Sequence, residues 1–312
     1  MKNKHFYSKI LLFGEYGIMK NSSGLSIPFK KFNGRLKLND KLNGKAEESN
    51  LEIQKFYEYI KANTNDLGRI NLQSLKEDIS NGLYFDSDIP KGFGVGSSGA
   101  LVAAIYDKYC DSDTDDLYEL KKIFSTMESY FHGNSSGLAP LVSFFNNPIF
   151  ISEGVVELLA DIKFLNSKIY LIDSKYSSNT KEMIELFNNK MNDKDFSNFF
   201  NKSYINKTNE CIANLLNSSN YYRDSIKKLS EITYKNMNEM IPDSLKEIWN
   251  EGLKSDSFYM KLCGSGGGGF FLVFDFENKE HIQTLIDLAN ARDSIFQTKQ
   301  KCNNTHPAKA SN

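Results

Sequence analysis

Four glycines fall within the eight residues 92–99, with Ser97 and Ser98 before the last of them and the apolar run 101–106 behind. Glycine carries no Cβ, so such a loop can bring its backbone N–H groups close to a ligand. The run that follows reads as a helix, which Ser97 or Ser98 can cap. The N-terminus of a helix, with free N–H groups and the positive end of its dipole, suits a phosphate. The stretch therefore reads as a phosphate cradle, and the plainer alternative is a flexible loop beside an ordinary helix. It is not the pattern G-x-x-x-x-G-K-[ST], because no Lys follows the last Gly. It is not a dinucleotide fingerprint, because no βαβ spacing surrounds it.

Bulk properties narrow the class. With 312 residues, 40% of them hydrophobic and 25% charged, the chain has the composition of a globular protein and the length of one large domain or two. A net charge of -1 gives no reason to expect nucleic acid or an anionic membrane as an obligatory partner. Cys110, Cys211, Cys263 and Cys302 show no C-x-x-C spacing and read as reduced thiols of a cytoplasmic protein. The apolar stretch near the N-terminus is broken by Gly14 and Glu15, too short for a membrane span and without a small-residue cleavage site.

In chain order, strands are expected at 9–13, around 25–29, at 35–38 and at 83–86, with an exposed turn at 39–50 and an ambiguous stretch at 70–80. Helical spacing marks 51–64, the segment from the glycine loop to about Tyr109, and 116–131, where Asp113, Thr114 or Asp115 can cap. A further helix should start near Pro140. Strands follow at 148–151 and 168–173, then mostly helix from Thr180 to about Trp249. Two strands, 258–263 and 270–276, flank the glycine run 264–269. A last helix is expected at 279–290 and a last strand at 294–298. The aromatic and methionine residues of 180–249 read as core.

Three separated segments, 9–17, 92–100 and 261–269, together resemble the GHMP kinases, the family of galactokinase, homoserine kinase, mevalonate kinase and phosphomevalonate kinase. The second is similar to that family's P-x-x-x-G-x-G-S-S-A loop, with Gly99 before Ala100 where Ala is usual. The third resembles its K-x-x-G-x-G-G-G-G hairpin. Within the family the mevalonate kinases fit best. Ser8-Lys9-Ile10-Leu11-Leu12-Phe13-Gly14-Glu15-Tyr16 is similar to G-K-V-I-L-F-G-E-H, with Tyr16 replacing His. Residues 128–140 are similar to E-x-x-x-H-G-N-P-S-G-x-D, and 173–180 to a segment that brings a Thr to the phosphates.

The resemblance implies an α+β, two-lobed GHMP kinase fold with a ribosomal S5-like N-terminal lobe over 1–155, a ferredoxin-like C-terminal lobe over 156–312, and the active site in the cleft. It implies ATP held by Gly92, Gly94, Gly96, Ser97, Ser98, Gly99 and Ala100, with Gly266 and Gly267 from the hairpin. Mg²⁺ would be held by Ser98 and Glu128. Lys9 and Thr180 would be catalytic, and Glu15, Tyr16, His132, Gly264 and Ser265 would contact a small-molecule acceptor, mevalonate first. Related kinases are often dimers, so a homodimer is among the expectations. The departure is Ala139, which stands where the family has the Asp that takes the acceptor's proton. A methyl group takes no proton. Impaired turnover, another acceptor (homoserine, phosphomevalonate or a sugar) and a non-catalytic nucleotide-binding role all stay open on the sequence.

Overall fold

In the computed structural model, residues 4–20, 22–64, 67, 70–110, 114, 116–164 and 167–277 are described. The first half is built on a five-stranded antiparallel sheet in the order β1-β2-β4-β5, with β3 also paired to β2. Its strands are β1 (Phe6–Phe13), β2 (Gly24–Leu38), β3 (Leu83–Ser87), β4 (Ile149–Ser152) and β5 (Val155–Leu158). β2 runs unbroken for 15 residues, so the two strands expected at 25–29 and 35–38 are one. It pairs with β1 up to Gly34 and with β3 from Gly34 onward, and the register with β1 skips 30–32, so the strand passes from one partner to the other across a bulge.

Alternation along β1 buries Phe6, Ser8, Ile10 and Leu12 and turns Tyr7, Lys9 and Leu11 to the other face. That period of two is what delivers the Lys9 side chain to the cleft. Among the described residues five α-helices and a short 3₁₀ turn at Gly17–Lys20 complete this half; the α-helices are α1 (Gly44–Ala62), α2 (Leu72–Ser80), α3 (Ser97–Tyr109), α4 (Leu117–His132) and α5 (Leu138–Phe145). α1 takes in much of the expected turn at 39–50 and buries Ile53, Phe56, Tyr57 and Ile60 on one face. The ambiguous stretch 70–80 is the amphipathic α2, capped by the Asn71 side chain. α3 is buried from Gly99 to Tyr106, as an apolar helix enclosed on all sides must be. The cap of α4 is Asp116, which accepts from the N–H groups of Tyr118 and Glu119, one residue beyond the expected candidates.

The second half holds a three-stranded antiparallel sheet, β6-β8-β7, made of β6 (Lys168–Asp173), β7 (Phe258–Leu262) and β8 (Phe270–Asp275). Every residue of β7 and β8 is buried. Between β6 and β7 run α6 (Thr180–Met191), α7 (Lys194–Phe199), a π-turn at Phe200–Tyr204, α8 (Ile205–Leu216), α9 (Tyr222–Asn236) and α10 (Asp243–Ser255). Trp249 of α10 is fully buried, and its indole N–H donates to Ser230 Oγ at 2.8 Å. The helix and strand expected at 279–290 and 294–298 lie outside the described residues. Among the described residues no helix is long and apolar enough to cross a membrane.

Candidate active site

A cleft of about 760 Å³ runs along the glycine loop. The loop leaves β3 and enters α3 through Gly96, which takes the cap position in the left-handed region at φ 81°. Neither Ser97 nor Ser98 caps the helix, contrary to expectation, because the backbone of Gly96 occupies the position a capping serine would need. Both serines line the cleft.

Lys9 is bound into this loop. Its backbone N–H donates to Val95 O at 2.9 Å, and its ammonium donates to Gly94 O at 3.1 Å. The stem lies across Gly96, where a Cβ would come within 2.7 Å of Lys9 Cγ. Only glycine leaves that path open. Among the described residues no carboxylate forms an ion pair with Lys9.

Ala139 lies in the first turn of α5 and lines the same cleft. Its neighbour across the helix pair is Gly99. A Cβ on Gly99 would lie 2.8 Å from Ala139 Cβ, 2.9 Å from its carbonyl carbon and 2.9 Å from Pro140 N. The glycine in place of the usual Ala thus lets α3 pack directly on the α5 backbone.

Glu128 projects from α4 and is almost fully buried, at 5% exposure. Ser98 Oγ donates to its Oε1 at 3.2 Å, and Ser135 Oγ donates to its Oε2. Ser135 was not among the expected site residues. The signal available for it was a hydroxyl where the resembling motif has Pro. Ser98 and Glu128 offer hard oxygen donors, the kind that Mg²⁺ takes in small number while phosphates and water complete its shell. No group of three or more His, Cys, Asp or Glu able to hold a metal occurs among the described residues, so a cation here would lean on its nucleotide.

At the other end the β1 turn meets the glycine hairpin. Glu15 and Lys261 form an ion pair with both side chains at most 2% exposed. Burial pushes the Glu15 carboxyl above its ordinary range, against the opposing pull of the Lys261 ammonium. The Glu15 carboxylate is therefore committed to Lys261, which also donates to Leu262 O at 2.8 Å. Tyr16 sits at φ 57° and stacks on Phe187 with ring centroids 4.3 Å apart. Its hydroxyl donates to Ser265 O at 2.5 Å. Burial first, and the Glu15 charge second, raise the Tyr16 pKa, which keeps that proton in place.

The segment after β6 joins the two glycine loops. Ser178 N donates to Gly92 O at 2.9 Å, and Ser178 Oγ donates to Gly266 O at 2.5 Å. Thr180 begins α6, is exposed and lines the cleft.

Lys9, Glu15, Tyr16, Gly92, Gly94, Gly96, Ser97, Ser98, Glu128, Ala139, Thr180, Gly264 and Ser265 thus share one cleft. Gly99 and Ala100 are buried behind its wall. Gly266 and Gly267 pack against Met240 and Met183, and Gly268 lines the cleft instead. His132 ends α4, and its side chain lies outside what the structure describes.

Residues 53–146 match the family model described as GHMP kinases N terminal domain. A search of curated proteins found no match. Among solved structures, Methanococcus jannaschii mevalonate kinase is similar with a TM-score of 0.63 at 17% identity, over 93% of this chain and 95% of that one. Streptococcus pneumoniae phosphomevalonate kinase in complex with phosphomevalonate and AMPPNP gives 0.62 at 12%, over 94% and 98%. Lactococcus lactis galactokinase complexed with galactose gives 0.60 at 12%, over 92% and 89%.

Proposed function

We propose that this chain, which carries a GHMP kinase N-terminal domain and has the fold of those kinases, transfers the γ-phosphoryl group of ATP to a hydroxyl of a small acceptor, mevalonate first. The observation that carries the reading is the convergence of Lys9, the glycine loop and the Ser98–Glu128 pair on one cleft. The reading takes residues 1–155 and 156–312 as the two lobes and the cytoplasm as the location.

The roles follow from the chemistry. Gly94, Gly96, Ser97 and Ser98 present the loop backbone and the α3 N-terminus to phosphate oxygens. Glu128 and Ser98 would hold Mg²⁺, which when bound neutralises charge on the β- and γ-phosphates. Lys9 places a cation beside the acceptor oxygen. Thr180 lies where the cleft meets α6, and Tyr16 and Ser265 close the far end. The acceptor oxygen bonds to the γ-phosphorus as the bond to the β–γ bridging oxygen breaks, ADP departs, and the hydroxyl proton leaves for solvent.

Ala139 takes no part in that proton transfer. A missing general base typically lowers the rate by about 10²–10⁴. A loose phosphoryl-transfer transition state depends more on positioning and electrostatics than on early deprotonation, so the reading is of a slowed enzyme. A second reading, a protein that binds nucleotide without turnover, is favoured by Ala139 alone. ADP release from Mg-ATP with mevalonate, phosphomevalonate, homoserine and galactose separates the two. Acceptor-dependent release supports the kinase. Release with no acceptor of the panel, from this chain and from Ala139→Asp alike, sinks it.

A further inference from the structure

The short loop between α4 and α5 holds a contact that neither phosphate binding nor acceptor chemistry explains. Both oxygens of the buried Glu128 carboxylate are gripped by hydroxyls, and the two come from different parts of the chain. Ser98 reaches Oε1 from the start of α3, and Ser135 reaches Oε2 from this loop. We infer that Ser135 is a positioning residue, which fixes the orientation of the Glu128 carboxylate for the divalent cation that accompanies the nucleotide. The inference rests on the metal role given to Glu128 above.

Three observations carry it. First, the Ser135 hydroxyl has little freedom. Its oxygen accepts the Gly137 N–H at 3.1 Å, which leaves its one proton directed at Glu128 Oε2. Second, the loop is fastened to α4. Ser135 O accepts from Ser125 Oγ at 2.5 Å. Gly137 follows so closely over the helix that a Cβ would stand 2.3 Å from Lys121 O. Third, Glu128 forms no ion pair among the described residues. Two neutral O–H donors use only part of a carboxylate's four lone-pair sites, and a buried charge without a counter-ion is costly. The arrangement suits a cation arriving from the cleft. A proline at 135, as in the resembling motif, would leave Oε2 without this donor.

Groups that orient a ligating carboxylate typically contribute 10- to 100-fold in metal affinity. The test uses the full chain with AMPPNP, and reads the dissociation constant of Mn²⁺ by electron paramagnetic resonance. Ser135→Ala should weaken Mn²⁺ by about 10- to 100-fold, with AMPPNP affinity in EDTA unchanged. Ser135→Thr, which keeps the hydroxyl, should retain the affinity. Turnover of Ser135→Ala should recover at saturating metal, a split that general loosening of the fold would not produce. If Ser135→Ala binds Mn²⁺ as the unaltered chain does while Glu128→Gln binds it weakly, the role of Ser135 is wrong and the metal site stands. If Glu128→Gln also leaves Mn²⁺ affinity unchanged, both are wrong. Should Ser135→Ala fail to fold, Ser135→Pro carries the same comparison with the residue of the resembling motif.

Discussion

On the Glu128 side of the cleft each oxygen of a buried carboxylate meets a hydroxyl. On the Lys9 side an ammonium leans on the Gly94 peptide carbonyl, and the position where the resembling family has a carboxylate is a methyl group. Both sides border the same glycine loop, and both are braced by close backbone packing: Gly99 against Ala139, Gly137 against Lys121. The contrast therefore lies in one side chain and not in the scaffold. Under the proposed function, handling of nucleotide and metal falls to the first side, and handling of the acceptor's proton to the second. Binding and turnover should come apart accordingly.

The largest effect should come from filling the gap. Ala139→Asp is expected to raise kcat on the best acceptor by about 10²–10⁴, with KM for ATP little changed, as read by steady-state ADP release. Equal rates would mean that the asymmetry has no catalytic consequence. Next, Lys9→Met should lower kcat by about 10²–10³, the usual loss when one group stabilising developing charge is removed. Combined with Ala139→Asp, the two changes should be non-additive, since a carboxylate at 139 and Lys9 would act on the same oxygen. Additive effects would place them in separate steps.

Smaller effects test the packing behind each side. Gly99→Ala puts a methyl against backbone atoms of Ala139 and Pro140 and should cost about 1–3 kcal/mol by urea unfolding. No loss would show that α3 and α5 can separate freely. Tyr16→Phe removes the bond to Ser265 O and should cost about 1 kcal/mol, with any kinetic change in KM for the acceptor rather than for ATP.

A control far from the cleft should move least. The Asp256 carboxyl is held below its usual range, first by the hydrogen bond from Lys227 and then by that from Tyr259. A carboxyl depressed in the folded state stabilises above its unfolded pKa, and that contribution is lost as pH falls through the folded value. Asp256→Asn should therefore lower the thermal midpoint at pH 7 and have less effect in acid, by no more than about 1 kcal/mol for so exposed a pair. A larger shift there would blur the contrast between the two sides of the cleft.

Legibility in the sequence followed the range of the interactions involved. The glycine loop, the β7–β8 hairpin and the strand around Lys9 were readable, because turn chemistry and period-two patterning are local. The N-cap of α4 was one residue off, because Asp113, Asp115 and Asp116 all have the chemistry and only the backbone decides. The single long β2 was not readable, since its charged middle bulges out of register with β1 and the strand continues because β3 takes over from Gly34. Ser135 was missed for the same reason. Its role depends on Glu128, seven residues back, being turned toward it by a loop whose path is not written in any short pattern. Glu15 is expected from the sequence at the acceptor; it lines the cleft, and what no short pattern shows is its pairing with Lys261, across 246 positions.

That separation sets a timetable for biosynthesis. At ordinary elongation rates Glu15 leaves the peptidyl transferase centre roughly 10 to 50 s before Lys261 is polymerised. Through that interval the N-terminal sheet has a carboxylate destined for a buried place without its ion-pair partner, with only the more distant Lys9 charge acting on it. Removing one partner of a buried pair typically costs about 3–5 kcal/mol, so the waiting half must keep this corner hydrated or protonated. The far end of the cleft can seal only once β7 docks. Either position can be replaced cheaply only if the other changes with it.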